Sequence, residues 1–185
     1  EAAADIGVKA GERTVQRLSP RKAPTGKYPI ILAPNLAAGL IGHLNGAIGG
    51  GSQYRKASFL LDALGQQVLP SWLTLREESK MARGLASAYF DGDGVATRDN
   101  VFVEQGQLSS YILSTYSARK LGLATTGNAG GVHNLHLDAP TQPFSQLLAQ
   151  MGNGFLITEL MGQGVNGVTG DYSRGASGYW VEDGE

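Results

Sequence analysis

Apolar positions recur at steps of four and three through the first twenty residues. Ala4, Val8, Gly11, Val15 and Leu18 fall on one face of a predicted helix, and Pro20 ends it. After the polar link RKAPTGK, the run YPIILAP gathers β-branched residues between prolines and predicts a strand. Asn35 is placed to cap the next helix, whose stripe of Leu36, Leu40, His43, Leu44 and Ala47 should stop at Gly49, Gly50 and Gly51. QQVLPSWLTLREE and GLASAYFDGDGVATR predict strands and turns, and NVFVEQGQLSSYILSTY predicts a hairpin turning at Gln105 and Gly106. In PFSQLLAQMG, Phe144, Leu147, Leu148 and Met151 keep helical spacing, with Pro143 suited to the first position and Gly152 to the stop. The rest, GFLITELMGQGVNGVTGDYSRGASGYWVEDGE, reads as strand and turn. Hairpin signals outnumber strand-helix-strand units, so the expected fold class is α+β, predominantly antiparallel sheet with a few packed helices.

Length and charge then narrow the function classes. A chain of 185 residues with 42% hydrophobic content can bury one core. Its formal net charge of -1 comes from scattered charges with no block of like sign, which points away from nucleic acid and from anionic membrane. No apolar run approaches the roughly 20 residues needed to cross a bilayer. With no cysteine, thiol catalysis and thiolate metal ligation are excluded within these residues, leaving histidine and carboxylate as metal donors. Glycine stands out at 27 residues, which implies many tight turns. The closing GYWVEDGE predicts a strand and an Asp-Gly turn with one residue after it, so the chain reads as cut from something longer, with a sheet edge left unpaired.

Several side chains invite a chemical role. His133 and His136, three apart in GGVHNLHLD, point to opposite faces of a strand and so do not share a metal. Asp91 and Asp93 in DGDG resemble the start of a calcium loop, but its twelfth position would be Phe102, so a plain turn is expected. Glu159 interrupts the apolar run FLITELM, either as a perturbed acid-base carboxylate or as a charge satisfied by a neighbour such as Arg174; pairing is favoured. Ser173 and Ser177 have no local histidine to activate them and read as turn residues. Arg119 and Lys120 could hold an anion or finish a helical turn before Gly122; the structural role is favoured.

RLSPRK, YRKASFLLD, STYSARKLGL, TGNAGG and above all ITELMGQGVNGVTGDYSRGASGYWVEDGE occur in an order and density that resemble the PmbA-like (TldE-like) branch of the TldD/PmbA family. The resemblance implies that residues 1–185 are a fragment of a C-terminal domain, without the N-terminal domain and the C-terminal end. It implies a subunit of a cytoplasmic TldD/TldE metalloprotease complex that processes peptides, including peptide antibiotic precursors. Its partners would be a TldD-like subunit, the peptide substrate and, as a further option, copies of itself, with no nucleic acid and no membrane. In TldD-like subunits the corresponding stretch carries His-Glu-x-x-x-His, which supplies two zinc ligands and a glutamate base; a cysteine ligand lies farther along. Here the matching residues are HLNGAI, so His43 keeps the first ligand position, while Leu44 stands at the base and Ile48 at the second histidine. A hydrolytic zinc site needs three protein ligands and an open position for water. His43 is therefore expected to be a packed histidine at a remnant metal position, with no catalytic residue and no cofactor in this chain, and zinc in the TldD-like partner. The alternatives are a metallopeptidase in its own right or a regulatory binding protein, the latter from the family's historical links to DNA gyrase modulation. A glycine-rich surface from Gly162 to Gly178 is a candidate for pairing with the partner.

Overall fold

The computed structural model describes residues 2–185. Helix α1 (Ala3–Val15) is followed by a link to the short strand β1 (Ile30–Leu32). Helix α2 (Pro34–Ile48) starts directly after it. Its N-cap is Ala33 with no side-chain cap, and Pro34 lies in the first turn, so Asn35 sits inside the helix rather than capping it. Proline's fixed φ and missing N–H favour that place, which displaces the expected cap by two residues.

The triple glycine breaks the helix without ending helical structure. Gly49 is extended, with φ -66° and ψ 134°, and Gly50 opens the short helix α3 (Gly50–Tyr54). A side chain at Gly50 would collide with Ser117 and Leu113, so close packing as well as backbone freedom accounts for glycine there.

Strands β2 (Thr74–Glu78), β3 (Asn100–Glu104), β4 (Gln107–Leu108) and β5 (Asn134–Asp138) form an antiparallel sheet in the order β4-β3-β2-β5. The β3–β4 turn falls at Gln105 and Gly106, with φ 46° and 79°, the left-handed pair that a two-residue hairpin with the native twist requires. The second arm is shorter than its sequence pattern predicts. After Leu108 the chain leaves the ladder, and Ile112 bridges Gly49 instead.

Helix α4 (Thr115–Leu121) begins with a reciprocal capping box between Ser114 and Ser117 and ends at Gly122 in the left-handed region. Helix α5 (Phe144–Met151) has Pro143 as its N-cap, one position before the expected one, and Gly152 at its end. Strands β6 (Gly154–Met161) and β7 (Gly175–Val181) pair antiparallel, and β1 runs parallel to β6, giving a second sheet ordered β1-β6-β7. The fold is α+β, with one parallel pair in otherwise antiparallel sheets.

Ile48, Leu75, Phe102, Val103, Leu108 and Leu113 are buried in one core beneath the four-stranded sheet. The last two turns of α2 supply its roof through Leu44, Ala47 and Ile48. Each fully buried Leu, Ile or Phe side chain contributes about 1.5–3 kcal/mol.

Candidate functional site

His43 lies half-buried on α2, its ring edge-on to Tyr172 with centroids 5.9 Å apart and an interplanar angle of 72°. Tyr172 belongs to the tip of the β6–β7 hairpin, which folds back on α2. Backbone pairing of Val165 with Tyr172 holds this tip, and the Phe59 N–H donates to the Gly167 carbonyl at 3.0 Å. Close approach explains glycine at two points of the hairpin: side chains at Gly164 and Gly178 would strike the Ser173 and Leu156 carbonyls. Within the chain, these glycines serve hairpin packing.

The neighbours of His43 do not make a zinc site. Leu44 is 8% exposed and Ile48 0%, and both pack into the core rather than toward the imidazole. Neither hydrocarbon has a lone pair to offer a metal. Asn45 carries a buried Oδ1 without a hydrogen-bond partner, but at two residues' distance it lies on a different side of the helix from His43. Among the described residues, no three His, Asp or Glu side chains gather closely enough to hold an ion. The donor set here does not fit the metal.

A different polar cluster sits under the four-stranded sheet. Glu77 is 1% exposed and lies on the core face of β2 with Leu75. Asn128 Nδ2 donates to its Oε1 at 2.8 Å, and Asn100 Nδ2 donates to its Oε2 at 2.7 Å. The His133 backbone N–H also donates to Oε1, and His133 Nδ1 lies 2.8 Å from the same oxygen. So complete a set of partners makes a buried carboxylate tolerable and fixes the imidazole's orientation. Asn128 also lines a cleft of about 300 Å³ between α3, α4 and the 127–131 loop, beside Gly50, Tyr54, Tyr116 and Gly130.

His136 faces the opposite side of the sheet from His133. It pairs across from Arg76, and its Nε2 is 3.6 Å from Glu78 Oε2, too long for a hydrogen bond. Arg76 makes a two-pronged contact with Asp138, at 2.7 Å and 3.4 Å. The histidines therefore sit on separate carboxylates, in separate environments.

The DGDG segment is a turn built on Asp91. The buried Asp91 carboxylate accepts backbone N–H groups from Asp93, Val95 and Ala129, each at 2.9 Å. Burial alone would raise its pKa; the N–H donors of Ala129, Val95 and Asp93, with His133 nearby, outweigh it and hold the group below the ordinary value of 3.8. Asp93 reaches across to the start of α4, where the Thr115 N–H donates to Oδ2 at 2.9 Å. A second depressed carboxyl is Asp99, held down by the Ser79 backbone N–H and hydroxyl against its own desolvation.

Glu159 is paired, with a partner different from the expected one. Its carboxylate meets the Arg17 guanidinium and accepts the Ser177 hydroxyl at 3.1 Å. Arg174 instead donates to the Met161 carbonyl at 3.2 Å. Ser173 takes part in the hairpin through its backbone N–H to Gly164. Arg119 and Lys120 occupy the last turn of α4; Arg119 Nε donates to the Thr115 carbonyl, and Lys120 stands over the Tyr116 ring.

Residues 25–185 match the profile of the PmbA/TldA metallopeptidase C-terminal domain. The chain belongs to the TldD/PmbA family. It is 54% identical to the metalloprotease PmbA of Escherichia coli O157:H7 over 97% of its own length, and 51% identical over the same share to a PmbA homolog of Haemophilus influenzae. It spans 40% of the length of each of these curated relatives. A crystal structure from Bacteroides thetaiotaomicron, described as a proposed modulator of DNA gyrase, superposes with a TM-score of 0.90 at 31% identity, covering 97% of this chain and 40% of that one. TldE from Thermococcus kodakarensis shares the fold, with a TM-score of 0.72 at 23% identity over 94% of this chain and 43% of its own. Among the described residues no helix is long and apolar enough to cross a membrane.

Proposed function

We propose that this chain is part of a PmbA/TldE-like subunit that does not itself hydrolyse peptides and works in a cytoplasmic complex with a zinc-bearing TldD-like subunit. The observation that carries this reading is the burial of Leu44 and Ile48. The positions that would hold a base and a second zinc ligand are spent on the hydrophobic core. In this reading the domain contributes walls and sheet edges that position an extended peptide, with backbone hydrogen bonds serving any substrate sequence. The peptides it would help to process include antibiotic precursors.

Peptide turnover by the full-length polypeptide, alone and mixed with a TldD-like chain, tests the proposal. Turnover and zinc that appear only in the mixture support it. Turnover by the isolated polypeptide, abolished by His43→Ala, would establish the opposite reading of an independent metallopeptidase.

A further inference from the structure

Three of the segments that carry the family resemblance converge on the cleft beside Asn128. YRKASFLLD contributes Tyr54, STYSARKLGL contributes Ser114, Tyr116 and Ser117, and TGNAGG contributes Asn128 and Gly130. A volume of about 300 Å³ lies at the small end of the range for small-molecule sites.

Two cations stand at the aromatic wall. Tyr54 and Tyr116 meet edge to face, with centroids 5.6 Å apart and an interplanar angle of 81°. Arg55 lies over the Tyr54 ring at 5.3 Å, and Lys120 lies over the Tyr116 ring at 5.7 Å. Arg55 Nη1 also donates to the Tyr54 hydroxyl at 3.2 Å, and its guanidinium would be 3.3 Å from a side chain at Gly51, another residue of the wall. Both cations are exposed, and among the described residues neither pairs with a carboxylate. Asp93, at the start of α4, is committed to the N–H and hydroxyl of Thr115. Two uncompensated cations beside the same wall favour a carboxylate.

Asn128 offers the opposite polarity. It is 4% exposed, and its amide nitrogen is committed to the Glu77 carboxylate and, at 3.2 Å, to the Gly131 carbonyl. Its Oδ1 has one long contact, to Asn100 Nδ2 at 3.4 Å, so an acceptor is left to spare. The buried charge of Glu77 directly beneath favours a positive donor at that oxygen. A carboxylate satisfied by so many segments is a costly way to hold a loop, and what it holds here is the wall at Asn128.

We propose that this cleft binds a free α-amino acid, its carboxylate at Arg55 and Lys120, its ammonium at Asn128 Oδ1 and its side chain against Tyr54, Tyr116 and Ile112. Such a ligand matches both polarities at once, which neither a simple anion nor the blocked end of a peptide does. It binds independently of peptide hydrolysis elsewhere in a complex.

Hydrogen exchange of the full-length polypeptide, read by mass spectrometry, tests this with an equimolar mixture of leucine, phenylalanine and serine titrated to about 10 mM. The amides of 50–55, 114–121 and 126–131 are expected to exchange on the order of 10-fold more slowly near saturation. The N-acetylated amino acids, which lack the ammonium, and the amino-acid amides, which lack the carboxylate, should bind about 10-fold more weakly or worse. Arg55→Ala combined with Lys120→Ala changes two exposed side chains and should weaken binding to a similar extent, with β2 and β3 as protected as in the parent. Lys22→Ala, away from the cleft, should leave binding unchanged. No protection from the mixture would overturn the proposal, as would protection that survives the double substitution. Equal binding of the N-acetylated compounds would also overturn it, because the site would then take a peptide's carboxylate end or a simple anion.

Discussion

Replacing Ile48 by histidine puts a donor where the resemblance to TldD-like subunits would place a zinc ligand; in this fold it should damage the protein instead. Ile48 is 0% exposed and packs with Phe102, Leu113 and Leu44 in the core. Removing a fully buried isoleucine forfeits about 1.5–3 kcal/mol of burial. Placing an imidazole there without partners adds about 1–3 kcal/mol for each unsatisfied nitrogen. With two ring nitrogens the sum, about 3.5–9 kcal/mol, is a large part of the 5–15 kcal/mol typical of a whole domain. Ile48→Val, which removes one methyl group, serves as the control and should cost about 0.5–1.5 kcal/mol. Urea unfolding followed by circular dichroism measures both, and the midpoint of Ile48→His should fall far below that of Ile48→Val. A histidine variant within about 1 kcal/mol of the parent, and stabilised further by added zinc, would refute the reasoning, because the position would then be able to turn outward and hold metal.

Other expectations concern the buried carboxylates. Glu77→Gln keeps the shape but turns an amide toward the donors of Asn128 and His133, and it should cost about 1–3 kcal/mol in urea unfolding. The depressed pKa values of Asp91 and Asp99 mean that the folded state binds protons less readily than the unfolded chain, so their contribution is fully present above 3.8 and is lost as pH falls below it. Acid titration of stability should therefore steepen below that pH, and Asp91→Asn should flatten the curve; an unchanged curve would count against the Asp91 turn. Tyr172→Ala should speed amide exchange across 163–173 and leave the four-stranded sheet unaffected, because it removes the ring that rests on His43.

Local signals along the chain carried much of the fold. The α2 stripe, the β3–β4 turn at Gln105 and Gly106, and the stop at Gly152 each depend on neighbours a few residues apart, and each appears where its pattern points. Partners distant in sequence were not legible. Nothing in YPIILAP shows that it runs parallel to a strand more than a hundred residues later, and nothing near Glu159 points to Arg17. The Glu77 cluster leaves one trace in the sequence: in TLREE, period two puts Glu77 on the same face as Leu75, which makes a buried carboxylate foreseeable. Its partners Asn100, Asn128 and His133 come from three other segments, and only the fold brings them together.

Zinc titration of the isolated chain, with bound metal measured by elemental analysis after dialysis, bears most directly on the reading of HLNGAI. No stoichiometric zinc is expected, and no difference between the parent and His43→Ala. One zinc per chain that survives dialysis and disappears in His43→Ala would contradict it.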